Sequence, residues 1–136
     1  MNLISIYERP DRALVLHQLL EEREPAANIS HKAMPSWDEH VRFVESKPYQ
    51  AWYFITDGYE TVGACYLSKQ DEIGVFVFKA HQGRNYGPWA IEAIMLKHGK
   101  RRYLANVSPT NARSLELFRN LGFNVIQHTY VKNPDL

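Results

Sequence analysis

The chain alternates between two hydrophobic periods. Residues 3–8, LISIYE, read as a short strand. Pro10 and Asp11 then open a helix, DRALVLHQLLEERE (11–24), with Asp11 as its N-cap, and Pro25 ends it. AANISHKAMP (26–35) is a loop. A second helix follows in SWDEHVRFVESK (36–47), where Ser36 and Glu39 have the spacing of a capping box and Trp37, His40, Val41 and Val44 share one face. AWYFIT (51–56) and TVGACYLS (61–68) are strands joined by a hairpin at Asp57-Gly58, and EIGVFVF (72–78) is a third consecutive strand. HQGRNYG (81–87) leads into a helix over 87–98. RYLANV (102–107) is a strand broken by Ser108-Pro109. Thr110 or Asn111 caps the helix NARSLELFRNL, whose Ser114, Leu117, Phe118 and Leu121 share a face and which Gly122 ends. FNVIQHTYV (123–131) is the last strand. The order is β-α-α-β-β-β-α-β-α-β. It predicts an α/β (α+β) fold with a mixed, mostly antiparallel sheet flanked by four helices.

Length and composition add bounds. The 136 residues fit a single domain, 1–136, and can bury a core without disulfides or metals. A formal net charge of +1 gives no argument for nucleic acid or membranes as partners. The basic cluster Lys97, Lys100, Arg101 and Arg102 reads as a solvated helix end and loop. Cys65 is the only cysteine; it sits in the apolar run GACYL and reads as a small buried hydrophobe. The start of the chain lacks the charged head and long apolar stretch of a signal peptide, and no apolar run approaches spanning length. The expectation is a soluble, cytoplasmic protein.

The strand-to-helix junction HQGRNYGPW (81–89) is the first stretch with candidate chemistry. A helix N-terminus exposes unpaired N–H groups and the positive end of the dipole, and glycines before it let an anion approach the backbone. Gln82, Gly83, Arg84, Asn85, Tyr86 and Gly87 offer such a row of amides, with Arg84 as a mobile cation. A plain Gly-rich turn explains the same residues. No Gly-Lys-Ser/Thr follows, so this is not a nucleotide P-loop, and the third glycine of a dinucleotide fingerprint is absent.

Element order and two motifs together resemble the GNAT superfamily of acyl-CoA-dependent N-acetyltransferases. The pyrophosphate-loop pattern Arg/Gln-x-x-Gly-x-Gly/Ala matches Gln82 to Gly87, with Asn85 in place of the first key glycine. The later family signature matches NARSLELFRNLGF, from Asn111 to Phe123. The resemblance covers nearly the whole chain. It implies acetyl-CoA as co-substrate and no metal. It also implies that the fourth strand splays from the fifth, that backbone groups near Phe76, Val77 and Phe78 hold the pantetheine arm, and that the amides of the 82–87 loop hold the pyrophosphate. Asn106 and Asn111 fall at the family's cofactor side, although Asn111 also reads as an N-cap.

The implied reaction is direct attack of a neutral amine on a thioester. It needs a base, an oxyanion donor and an exit for the thiolate. Many members protonate the thiolate with a tyrosine; Phe118 stands at that position here. Either another group acts, with Tyr86, Tyr103 and Tyr130 as alternatives, or the thiolate leaves unassisted. Glu72 matches an acidic position of several members and is the candidate base; it also reads as a strand-end carboxylate. His31 sits in the loop where the family binds acceptor and is the second catalytic candidate. His81 abuts the cradle, and His40 reads as a core histidine. Trp37, Tyr49, Trp52 and Tyr53 are candidates for an acceptor pocket or for core. The family finishes with two strands after Gly-Phe, and only one fits before Leu136. The sheet is therefore either shortened or completed by a second chain in a homodimer. The expected acceptor is a small-molecule amine or amino sugar. The alternatives are a protein N-terminus or lysine, and a catalytically silent acyl-CoA-binding or interaction module.

Overall fold

The computed structural model describes residues 1–23 and 34–134; His31 lies outside the described residues. Four antiparallel strands form one sheet in the order β1-β2-β3-β4. They are β1 (Asn2–Ser5), β2 (Ala51–Asp57), β3 (Glu60–Leu67) and β4 (Ile73–Val77). The hairpin between β2 and β3 turns at Gly58, whose φ of +63° suits the residue that follows Asp57. The four helices are α1 (Arg12–Glu22), α2 (Trp37–Glu45), α3 (Tyr86–His98) and α4 (Ala112–Asn120).

Period-two alternation divides the core between the two faces of the sheet. On one face Tyr53, Ile55, Cys65, Leu67 and Ile73 pack against Ala90, Ile91 and Ile94 of α3 and Phe118 of α4. On the other, Phe54 and Ala64 pack against Ile6 in the turn after β1, Leu16 and Leu19 of α1, and Val44 of α2. Cys65 is fully buried, and burial pushes its thiol up, so the thiolate that a nucleophile needs is suppressed.

Local signals explain the helix ends. Ser36 accepts from the Glu39 amide at 3.2 Å while Glu39 reaches back to the Ser36 amide, the reciprocal box that the sequence predicts. Asp11 stands at the N-cap of α1 without a capping bond, because Arg9 grips both its carboxylate oxygens at 2.8 Å. His40 is a core histidine: it is buried, its Nε2 lies 2.8 Å from the Ala13 carbonyl oxygen, and burial lowers its pKa.

Two expected strands are not formed. Residues 102–107 contribute a single parallel bridge, Leu104 beside Glu72, so the parallel part of the sheet shrinks to that point. Residues 123–131 form no strand, and Val125 and Tyr130 are 72% and 90% exposed. Both runs have strand-like composition. A strand also needs an edge to pair with, and neither run finds more than the Leu104 bridge among the described residues.

Candidate active site at the free edge of the fourth strand

β4 is the edge of the sheet, and its alternation sets three directions at once. Glu72, Phe76 and Phe78 turn their backbone groups toward β3. Ser68 donates to the Glu72 carbonyl at 2.8 Å, and Phe78 donates to the Val62 carbonyl at 2.9 Å. Ile73, Val75 and Val77 turn theirs outward. The Ile73 amide donates to the Leu104 carbonyl at 2.7 Å, and pairing with 102–107 stops there. Beyond that bridge the outward backbone of Val75 and the Val77 amide line the edge, while the Val77 carbonyl is taken by the Gln82 side chain. Of the three residues the resemblance names for the pantetheine arm, Val77 presents its backbone to this edge. Phe76 and Phe78 are bonded to β3, and their side chains lie on the α1/α2 face of the sheet. Val75 joins Val77 as the outward pair.

At the far end of β4 the chain turns into the cradle. Gly83 has a φ of +81° and Asn85, the N-cap of α3, has a φ of +64°. Asparagine tolerates this left-handed conformation better than other residues with a side chain. The first-turn amides of α3 have no intrahelical acceptor. Gly87 has no positive φ, and a Cβ there would meet only Leu117 Cδ2, at 3.7 Å. The protein itself therefore does not require glycine at 87. Pro88 sits in the first turn, where its missing N–H is tolerated. Tyr86 anchors the loop from below: its hydroxyl donates to Asp57 at 2.6 Å, and that bond raises its pKa. Arg84 is exposed beside the turn. These features fit the diphosphate of a coenzyme A.

Gln82 ties the cradle to its surroundings. Its amide nitrogen donates to the Val77 carbonyl at 3.1 Å, and its side-chain oxygen accepts from Arg113 in the first turn of α4. Arg113 is thus a second cation beside the cradle. The sequence reading missed it, although it lies inside the late signature two residues after Asn111. Asn111 itself caps α4, accepting from the Ser114 amide at 3.2 Å.

At the near end of β4 stands Glu72. One carboxylate oxygen accepts from the Ser68 hydroxyl at 3.1 Å and the other from the Asn106 side-chain amide. Asn106 therefore supports the carboxylate, while the cradle lies at the opposite end of the strand. Ser68 is a further participant the sequence reading missed; its only signal was a position opposite Glu72 in the β3–β4 register.

Alternation puts Glu72, Gly74 and Phe76 on the same face as Tyr66. Tyr66 lies over Gly74 so closely that a Cβ at 74 would sit 2.2 Å from its ring. Tyr49 stacks on Tyr66 with centroids 3.9 Å apart and meets Trp52 edge-on at 4.8 Å. Burial raises the pKa of both tyrosines and keeps their hydroxyls neutral. Tyr53 is on the opposite face, its hydroxyl 2.9 Å from His98 Nε2, and Trp37 packs against His17 and His40. His81 is drawn to Glu60, at 3.3 Å.

Of the three tyrosines weighed as proton donors for a thiolate, Tyr86 and Tyr103 have hydroxyls that already donate elsewhere. Phe118 has no hydroxyl and is buried edge-on against Phe123. Tyr86 donates to Asp57, Tyr103 donates to the Met95 carbonyl at 3.0 Å, and Tyr130 projects from the exposed 123–131 segment.

Comparison with known structures agrees with this architecture. A domain from Methanocaldococcus jannaschii superposes with a TM-score of 0.79 at 18% identity, covering 94% of this chain and 90% of the other. A chimera of the spermidine N-acetyltransferase SpeG from Vibrio cholerae and hSSAT gives 0.73 at 16% identity, over 94% and 84%. The yncA protein of Salmonella typhimurium, solved with its cofactor acetyl-CoA, gives 0.70 at 17% identity, over 93% and 79%. At these identities the likeness is one of fold. No curated protein matches the sequence. Among the described residues, no helix is long and apolar enough to cross a membrane. The sequence of residues 14–123 matches the Acetyltransferase (GNAT) family, and with most of its length matched the chain belongs to that family.

Proposed function

We propose that the protein is an acetyl-CoA-dependent N-acetyltransferase acting on a primary amine of a small molecule. The observation that carries this reading is the open edge of β4. Its outward backbone at Val75 and Val77 runs from the amide cradle at 83–87 to the carboxylate of Glu72. The amides of 83–87 with Arg84 and Arg113 would hold the diphosphate, and the outward groups of Val75 and Val77 the pantetheine arm. The bound co-substrate supplies an acyl thioester. Glu72, held by Ser68 and Asn106, accepts a proton from the acceptor's ammonium, directly or through water. The thiolate leaves without an acid from the protein, which a thiol pKa of roughly 8.5 allows. The likeness to a spermidine N-acetyltransferase favours a small-molecule acceptor over a protein substrate.

Calorimetry with coenzyme A and thiol release from acetyl-CoA against a panel of amines test the reading. Glu72→Gln is expected to leave coenzyme A affinity unchanged and to lower kcat/KM by about 100-fold or more. An unaltered rate removes Glu72 as base, and no coenzyme A binding removes the whole proposal. The buried, hydroxyl-free Phe118 favours one second reading, a silent acyl-CoA-binding module; binding without turnover on any amine would decide for it. The exposed apolar segment 123–131 favours pairing with a second chain. Sedimentation as a strict monomer at high concentration would exclude that pairing.

A further inference from the structure

Both acids at the tip of the β2–β3 hairpin are bound to the turn that carries the cradle. Asp57 ends β2 and Glu60 begins β3, and the register sets them directly opposite each other. Like charges in facing positions destabilise a hairpin, so this pair is unfavourable on its own account. Each acid finds its partner across the molecule. The Tyr86 hydroxyl donates to Asp57 at 2.6 Å, and His81 Nε2 lies 3.3 Å from Glu60. The Tyr86 and His81 rings meet edge-on, with centroids 6.3 Å apart. Tyr86 is buried, whereas Gln82, Gly83, Arg84 and Asn85 are exposed. His81 and Tyr86 are thus the feet of the loop, and the residues between them are its span. That span holds two left-handed positions, Gly83 and Asn85, a shape that a free chain adopts only part of the time. Fixing both feet to one hairpin end raises the fraction of time for which the amides are set for an anion. Arg84 is close enough to act on the Tyr86 hydroxyl, so a cation offsets part of the acidic charge there.

We propose that Asp57 and Glu60 are positioning residues for the co-substrate. Asp57 acts through Tyr86 and Glu60 through His81, and together they hold the cradle in its binding shape before coenzyme A arrives. This rests on the acyltransfer reading above and adds what keeps its anion site in order. The sign of the effect separates this role from that of a bare charge. An acid that merely stood near a diphosphate would repel it, and its removal would tighten binding. An acid that holds the turn loosens binding when it is lost.

The experiment measures the Kd of coenzyme A by calorimetry for the parent, Tyr86→Phe, Asp57→Ala, Asp57→Asn and Glu60→Ala. Pantetheine, which lacks the diphosphate, is the second probe, titrated by NMR. Tyr86→Phe removes one hydroxyl and leaves the hairpin residues as they are. Its Kd for coenzyme A should rise about tenfold, the change produced when the competent form of the loop falls to about a tenth of its population. Asp57→Ala should match it, and the two changes together should be no worse than either alone, because they cut one bond. Asp57→Asn keeps an acceptor oxygen and a favoured residue before Gly58, so its Kd should stay within about threefold of the parent. Glu60→Ala should raise the Kd by about threefold or more. The Kd for pantetheine should stay within about twofold throughout, which a general loosening of the fold would not allow. A coenzyme A Kd within about twofold of the parent in Tyr86→Phe or in Glu60→Ala overturns the proposal. So does tighter binding by Asp57→Ala, or a loss of pantetheine affinity equal to that of coenzyme A. If the parent itself fails to bind coenzyme A, the acyltransfer reading falls, and this proposal with it.

Discussion

Gly87 separates a cradle from a turn more cleanly than any other position, because its two effects have opposite signs. It is the second residue of α3, with no left-handed φ. A methyl group there would stand 3.7 Å from Leu117 Cδ2, an ordinary contact, and meet nothing else within 4 Å. Gly87→Ala should thus stabilise the free protein, since alanine loses less backbone entropy than glycine in a helix. The full interior value is roughly 0.5–1 kcal/mol, and a first-turn site should realise part of it. Thermal denaturation should then show a Tm equal to that of the parent or higher by about 1–4 °C. Binding moves the other way. The methyl lies where a diphosphate would approach the first-turn amides, and losing one hydrogen bond to a charged group costs about 1.5–3 kcal/mol. Calorimetry should show the Kd for coenzyme A rising about 10- to 150-fold. A Kd within twofold of the parent, in a variant as stable as expected, would refute the cradle and leave 81–89 as a turn. A fall in Tm would show instead that the contact with Leu117 is tighter than it looks.

Gly74→Ala should destabilise the protein by about 1–3 kcal/mol in urea denaturation, because its Cβ would sit 2.2 Å from the Tyr66 ring and Tyr49 blocks that ring's retreat. Tyr66→Ala in the same chain should recover part of the loss, and strict additivity of the two changes would disprove the contact. Phe118→Tyr should lower stability by about 1–3 kcal/mol without raising kcat, since the ring is buried against Phe123 and a new hydroxyl has to find a partner there; a clear gain in kcat would show that the position still reaches the leaving group. His40 gives a pH dependence. Burial lowers its folded pKa, so between that value and the unfolded value of about 6.5 the unfolded chain holds more protons. Its contribution is therefore complete above about pH 6.5 and is lost as pH falls toward the folded pKa. His17, its ring 5.3 Å away, pushes the His40 pKa in the same direction as burial. Tm measured from pH 7.5 to 5.5 should fall more steeply in the parent than in His40→Gln, and parallel profiles would rule this out.

The parts of the fold that depend on neighbours in sequence were legible before the structure. The Ser36–Glu39 box, the Asp57-Gly58 hairpin, the Asn111 cap and the left-handed tolerance of Asn85 are all encoded within four residues. Failures occur where the outcome depends on a distant partner. Residues 102–107 and 123–131 have the composition of strands, yet strand composition describes fit to a sheet surface and not the presence of an edge. The site follows the same division. The turn before α3 and the place of Glu72 at the start of the fourth strand could be read from local pattern. Ser68 and Tyr66 could not, because each acquires its contacts only through the β3–β4 register. Gly74 is the sharpest case: in the sequence it is a weak point in a strand, and only the Tyr66 ring above it shows why a side chain is excluded.

A single strand can carry this site because a strand at a sheet edge is three surfaces. One row of β4 backbone groups holds β3, and the opposite row pairs with no strand past the Leu104 bridge among the described residues. Its side chains then separate by parity: Ile73, Val75 and Val77 pack toward α3, while Glu72 and Phe76 face α1 and α2. The outward row is thus flanked by core on one side and by Glu72 and the Tyr66 ring on the other. The Leu104 bridge fixes where this begins. Extending that pairing by even two residues would engage Val75 and close the edge. The shortness of the 102–107 contact, a defect if judged as sheet, is thus the condition for an opening beside Glu72. The same logic explains the placing of the cradle, since α3 begins where the outward row ends and its amides continue the line of donors past Val77.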